Sequence, residues 1–362
     1  MLLRLDIDDI FEKIKKKERL GYDDCLRLMN IDIHTLGYIA NMLNRDINGN
    51  TVTFINNLIL NYTNVCVTYC KFCAFYRPPN HEEGYTLSID ECLKRIKMAE
   101  ENYRIKQVLL QGGHNPSLKL EFYEELFKAI KKNSKVAIHG LSPSEVDMIS
   151  KVEKTSVREV LARLRSAGLD SLAGAGAEIL VDEVREKISP LKIKSDEWIR
   201  IMEEAHKLGI PSSATMMYGH VESLNDRVTS LMKIIELQEK TGGFIAFIPW
   251  SFEPNNTLLK DEVKYSSGGL DLLRMVSVSR IMLYGLINHI QSSWLTNGIR
   301  MAQLALLYGA DDFGGTLYGE EVVSATGARS TTLNASNIID AIKALNLRAA
   351  ERDNMYNIIT IL

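Results

Sequence analysis

Ile59-Leu60-Asn61-Tyr62-Thr63-Asn64-Val65-Cys66-Val67-Thr68-Tyr69-Cys70-Lys71-Phe72-Cys73 is the stretch on which the fold turns. Its first seven residues read as a strand, and the strand runs directly into a Cys-x3-Cys-x2-Cys array. Three thiolates at that spacing face a common centre. An iron–sulfur cube ordinarily takes four protein thiolates, so three leave one iron open to bind and reduce a small molecule. Zinc is the competing reading, with His81 as a fourth ligand. Zinc sites commonly pair Cys-x2-Cys with a second distant pair, and this chain has none. Cys25 and Cys92 lie in helix-like stretches and read as apolar filler.

Outward from that stretch, apolar strand-like runs alternate with amphipathic helical segments. The runs fall at 59–65, 107–111, 135–139, 171–174, 213–218, 243–249, 288–292 and, weakest, 311–315. Helix starts are marked by Ser88…Glu91, Ser142-Pro143…Glu145 and Ser156…Glu159, each with capping-box spacing. Gly168, Gly209 and Gly242 stand where helices should stop. Parallel strands need crossover helices, so this alternation predicts an α/β fold with a parallel sheet. Eight runs fit a (β/α)8 barrel of the TIM type, closed or partial. Residues 1–50 read as a helical extension, and 51–362 as the barrel with its C-terminal strands and helices. Asn48-Gly49 is a turn signal before Thr51-Val52-Thr53-Phe54, which reads as a hairpin strand.

The bulk properties narrow the function. The 362 residues carry a formal net charge of -3, with 46% hydrophobic and 25% charged residues. No basic excess points to nucleic acid, and no apolar run approaches a membrane span. Five cysteines, three of them clustered, suit a reducing cytoplasm better than a secreted disulfide framework.

In a parallel barrel the chemistry lies beyond the C-terminal ends of the strands. The polar residues there are Cys66, Gly112-Gly113-His114, His139, Glu178, His220, Trp250 and Gln291-Ser292-Ser293-Trp294. His139 and His220 are candidate proton acceptors, or satisfied interior residues. Glu178, after the glycines of Gly174-Ala175-Gly176-Ala177, is placed to bond sugar hydroxyls, or to serve as a helix N-terminal acid. Trp250 and Trp294 suit an aromatic substrate or the packing of the barrel mouth.

Cys66-x3-Cys70-x-Phe72-Cys73, with its aromatic before the third cysteine, resembles the signature of radical S-adenosylmethionine (SAM) enzymes. The resemblance implies a 4Fe-4S cluster on Cys66, Cys70 and Cys73, with SAM chelating the fourth iron. It implies Phe72 beside the adenine and Gly112 and Gly113 near the SAM amino group, although His114 stands where the family often has Glu. Gly219 and Glu222 resemble the Gly-x-x-Glu element near the adenine; the alternative for Glu222 is a helix-dipole acid. The longer segments FCAFYRPPNHEEGYTL (72–87), AGAGAEILVDEVREKIS (173–189), ATMMYGHVE (214–222), FIPWSF (247–252) and IQSSWLTNG (290–298) resemble the cyclic dehypoxanthinyl futalosine synthases of menaquinone synthesis. That resemblance implies hydrogen abstraction from ribose C4′ of dehypoxanthine futalosine and ring closure onto its benzoate, with His139, His220 or Glu178 near the final deprotonation. It also implies a one-electron donor of flavodoxin or ferredoxin type. Aminofutalosine synthase and the radical SAM enzymes of deazaflavin synthesis share much of the pattern. A non-catalytic iron–sulfur electron carrier remains the reading from a different class.

Overall fold

The computed structural model describes residues 7–263, 267–328 and 332–362. Its ten strands are β1 (Thr51–Ile55), β2 (Asn57–Leu60), β3 (Gln107–Leu110), β4 (Ala137–Gly140), β5 (Ser171–Leu172), β6 (Ser212–Tyr218), β7 (Phe244–Ser251), β8 (Asp312–Gly315), β9 (Arg348–Arg352) and β10 (Ile358–Ile361). Strands β2 to β7 form one curled parallel sheet in chain order, as helical crossovers between consecutive strands require.

The ring is completed by short contacts. Ile290 bridges Phe247 of β7, Gln291 bridges Asp312 of β8, and Tyr318 bridges Leu58 of β2. Backbone bonds secure the seam, with Phe247 N donating to His289 O at 2.8 Å and Ile59 N to Tyr318 O at 2.7 Å. The run near 290 and the weak run near 312 therefore occupy the seventh and eighth barrel positions.

The hairpin expected at Thr51–Phe54 is not formed. Strand β1 pairs in parallel with β8 and β9 and runs straight on into β2. Gly49 instead ends the helix Ile33–Asn48, at φ 58°. Three helices precede the sheet, Asp8–Lys15, Tyr22–Leu28 and Ile33–Asn48. Ser88 and Ser142 each make the reciprocal capping box, whereas Ser156 accepts from Glu159 N without the return bond. No helix among the described residues is long and apolar enough to cross a membrane.

The N-terminal ends of the strands are plugged by the C-terminal segment. Asn354 accepts from Gln107 Nε2 at 2.6 Å and donates to Ser171 Oγ at 3.0 Å. Arg352 is buried in an ion pair with Asp312 and lies over the Tyr356 ring at 3.7 Å. Tyr356 in turn stacks on His289 and holds Gln291 Nε2 through its hydroxyl at 3.3 Å.

Two histidines, His139 buried and His206 half-buried, contribute to an acid limit. Burial holds both His139 and His206 at about 4, below their ordinary 6.5. The folded state keeps them neutral, so their contribution is whole above pH 6.5 and is lost as pH falls from 6.5 towards 4. Each gives a slope of at most about 1.4 kcal/mol per pH unit in that window. Urea midpoints should therefore fall between pH 7 and pH 5, and His206→Gln should flatten that fall. An unchanged slope in the variant would remove His206 from the account.

Candidate active site

Three thiols share one wall of a single chamber. Cys66, Cys70 and Cys73 line a cavity of about 350 Å³ at the C-terminal ends of the strands. Thr68 Oγ1 sits between two of them, 3.0 Å from Cys66 Sγ and 3.6 Å from Cys70 Sγ. Burial pushes the Cys70 thiol up to about 11 and raises Cys73 as well. Those two thiols, when free, are therefore protonated at neutral pH, and a bound cation is what makes them thiolates. No group of three His, Cys, Asp or Glu side chains among the described residues is placed to hold a metal ion. A cube that offers each thiolate its own corner suits three thiols on one wall better than a single zinc ion does.

The cysteine loop is held from behind. Gly113 N donates to Thr63 O at 2.8 Å, and a Cβ on Gly113 would lie 2.2 Å from Val65 O and 2.9 Å from Cys66 Cβ. A Cβ on Gly112 would lie 2.6 Å from the Tyr62 ring. Both positions need glycine because another backbone or ring occupies the side-chain space. Glu145 ties this corner together: Oε1 accepts from Tyr62 Oη at 2.7 Å and Gly112 N at 3.1 Å, and Oε2 accepts from Ser142 N at 2.6 Å. Burial raises the Glu145 carboxyl against the lowering effect of those bonds.

Across the chamber, Glu178 sits at a positive φ of 42°. Its Oε1 accepts from Lys192 Nζ at 2.9 Å, while Oε2 is buried without a hydrogen bond. Arg185, equally buried, donates to the Gly176, Ala177 and Ile193 carbonyls and stands 3.6 Å from Glu178 Oε2. Burial works against the Lys192 ammonium, but Glu178 and Cys70 outweigh it and its pKa ends raised. The ammonium also lies 5.4 Å from the Phe72 ring centre. Lys192 is the one Lys or Arg lining the chamber among the described residues.

The far wall comes from β6, β7, β8, the bridging run at 290–291 and the start of the helix Trp294–Ala305. Ile248, Trp250, Trp294 and Phe313 give it apolar faces, and Thr215, Gln291, Ser293 and Thr296 give it neutral polar groups. Trp294 is fixed by donation from Nε1 to Gly315 O at 2.9 Å. Tyr69, Glu178, Ser293 and Leu317 are non-glycine residues at positive φ in or beside this chamber. Backbone strain of this kind collects at functional sites.

Of the residues singled out from sequence, Cys66, Cys70, Cys73, Phe72, Gly112, Gly113 and Glu178 line the chamber together. His114 lines it too, held neutral at about 3 by burial and by Lys192 and Lys151. His139 lies among the floor residues, with Nδ1 2.6 Å from Ser171 Oγ and Nε2 3.4 Å from Ser213 Oγ. Gly219, His220 and Glu222 form a self-contained turn behind the wall. Glu222 accepts from Gly219 N, His220 N and Arg227 Nε. His220 Nδ1 accepts from Val221 N, leaving Nε2 to donate to Met217 O at 3.1 Å. Sequence reasoning missed Thr68, Tyr76, Glu145 and Lys192. Glu145 was visible as a helix cap, but nothing marked Lys192, which lies in the turn just beyond the 173–189 segment.

Comparison with known proteins agrees with this geometry. Residues 60–234 match the model of the Radical SAM superfamily, and residues 241–362 match that of the CofH/MqnC C-terminal region. The cyclic dehypoxanthine futalosine synthase of Streptomyces coelicolor is 40% identical over 98% of this chain and 90% of its own. The 5-amino-6-(D-ribitylamino)uracil–L-tyrosine 4-hydroxyphenyl transferase of Methanocaldococcus jannaschii is 39% identical over 96% of this chain and 98% of its own. Among solved structures, methylornithine synthase (PylB) superposes with a TM-score of 0.74 at 19% identity, over 94% of this chain and 97% of that one. The last of these shows the fold alone.

Proposed function

The chain belongs to the radical SAM superfamily, with the CofH/MqnC type of C-terminal region, and we propose that within it the protein cyclises dehypoxanthine futalosine. Enzymes of this superfamily use a 4Fe-4S cluster and SAM. Cys66, Cys70 and Cys73 would hold the cluster, since they share one wall and no other described cysteine reaches the chamber. When bound, the cluster and SAM supply a carbon radical able to take a hydrogen atom from an unactivated C–H bond.

The chain's own residues do the rest. Lys192, held by Glu178, is the cation available for the carboxylate of an amino-acid moiety. Glu178 Oε2, buried without a hydrogen bond and 3.6 Å from Arg185, is an acceptor for a ligand hydroxyl or ammonium. Thr68 Oγ1, 3.0 Å from Cys66 Sγ, would give its single hydroxyl hydrogen to that sulfur once it is a thiolate. The far wall orients the substrate and excludes water.

One observation carries the choice of substrate. The far wall combines aromatic faces, Trp250, Trp294 and Phe313, with neutral hydrogen-bonding groups, Thr215, Gln291 and Thr296. That pairing suits a sugar joined to an aryl group within one molecule. Holding both ends of one substrate at reacting distance is what ring closure needs. The near-equal identity to the archaeal transferase favours a second reading, in which two separate molecules, an aminouracil and tyrosine, meet in the chamber.

Mass analysis decides between them. Reduced protein with SAM and dehypoxanthine futalosine is expected to yield a cyclic product together with 5′-deoxyadenosine. Product only from the aminouracil with tyrosine would transfer the assignment to the second reaction.

A further inference from the structure

The segment after the third cysteine carries an arginine that the chemistry described so far leaves unused. Arg77 Nη1 donates to three consecutive carbonyls, Ala74 O at 3.2 Å, Phe75 O at 3.3 Å and Tyr76 O at 3.0 Å. Its Nε pairs with Glu83 at 2.6 Å. Its own backbone is fixed as well: Arg77 N donates to Asn64 O at 2.8 Å, and Arg77 O accepts from Cys66 N at 2.9 Å. One residue therefore holds both ends of the cysteine loop, Cys66 by main chain and the run after Cys73 by side chain.

Two of those carbonyls connect the guanidinium to a sulfur. A trans peptide unit points its C=O and its N–H in opposite directions. The Ala74 carbonyl shares its unit with Phe75 N–H, and the Phe75 carbonyl shares its unit with Tyr76 N–H. Both amides act on Cys73: burial raises its thiol, and the Tyr76 and Phe75 N–H groups pull it back down. The same two peptide groups thus face Arg77 at one end and Cys73 Sγ at the other. A cation bonded to a carbonyl polarises the unit and strengthens donation from its far end. Cys73, Phe75 and Tyr76 line the chamber and Arg77 stands outside it, so the arginine reaches the chamber wall through the backbone.

We propose that Arg77 is a positioning residue for Cys73: through the Ala74–Phe75 and Phe75–Tyr76 peptide groups it strengthens hydrogen bonds to the Cys73 sulfur and so makes the cluster easier to reduce. Hydrogen bonds to the ligand sulfurs and nearby positive charge both favour the reduced, more negative state of such a cluster. Glu83, on the other side of the guanidinium, tempers that charge. This rests on the cluster reading above, and it adds which side chain outside the chamber sets the potential.

Redox titration of the reconstituted protein without SAM, followed by electron paramagnetic resonance, reads the effect apart from turnover. At the wild-type midpoint potential, the ratio of reduced to oxidised cluster in Arg77→Met should fall about tenfold, which is about 59 mV for one electron. Its Fe–S(Cys) stretch, read by resonance Raman, should move to higher frequency as hydrogen bonding to sulfur weakens. Arg77→Lys keeps the cation and should fall less. Glu83→Gln leaves the three carbonyl bonds in place and removes the opposing anion, so its ratio should rise and its stretch move the other way. Iron and sulfide counts should match wild type in all three. A wild-type ratio and stretch in iron-loaded Arg77→Met overturn the proposal. If Arg77→Met takes up no iron, Glu83→Gln decides, and an unshifted ratio and stretch there overturn it. Wild-type protein that takes up no iron defeats the cluster reading itself, and this inference with it.

Discussion

Cys70→Ala is expected to abolish release of 5′-deoxyadenosine and to strip the protein of its iron and brown colour. Cys70 is 5% exposed on the chamber wall, with its thiol donating to Thr68 Oγ1 at 3.6 Å. Removing it leaves two thiols where an open-cornered cube needs three. The control is Cys92→Ala. Cys92 is fully buried in the helix Ile89–Tyr103, and burial pushes its thiol up to about 12. That change should cost some packing stability and no iron. Iron and sulfide counts, the visible spectrum and electron paramagnetic resonance of the reduced protein give readings independent of turnover. A zinc module would stay colourless in both variants. If Cys70→Ala keeps its iron and still cleaves SAM, the assignment of the three cysteines is overturned.

Gly113→Ala should be nearly as damaging, for a reason that lies in the backbone. The added methyl would stand 2.2 Å from the Val65 carbonyl oxygen and 2.7 Å from its carbon. No rotamer relieves a clash with main chain, so either the end of β3 or the cysteine loop must move. The cost is about 3 kcal/mol or more, at the upper end of overpacking penalties. The loop has fewer backbone bonds than the sheet and should be what moves. Iron loading should therefore drop more sharply than the melting temperature. Gly21→Ala, where a Cβ meets nothing within 4 Å, should match wild type in both. Full iron occupancy in Gly113→Ala would show that the loop does not depend on that contact.

Much of this site was legible because apolar runs stop where strands stop. Gly112, Gly113 and Glu178 were found that way, and each lines the chamber. The same logic placed His139 with them, and barrel stagger explains its different position. His139 near the end of β4 is level with Ser171 at the start of β5, because tilted strands climb around the ring. A strand's last residues therefore do not all reach one height. His220 and Glu222 follow β6 as expected, but their side chains close onto the backbone of their own turn, which strand position alone does not reveal. Lys192 was invisible for a different reason. It belongs to the turn after the helix Asp182–Ile188, and only the folded chain brings it beside Glu178 and Phe72. The capping-box spacing of Ser142 and Glu145 correctly marked a helix start, yet the same carboxylate also braces Gly112.

The plug formed by Arg352, Asn354 and Tyr356 has a bearing on biogenesis. Those residues emerge from the ribosome some 280 positions after Cys73, so the reaction vessel stays bottomless for most of its own synthesis. Gln107, Ser171 and Asp312 wait for partners until the chain is almost finished. A nascent chain carries its sulfur ligands in an unsealed cup, and oxygen-sensitive inorganic cargo is safest installed after the base has been fastened.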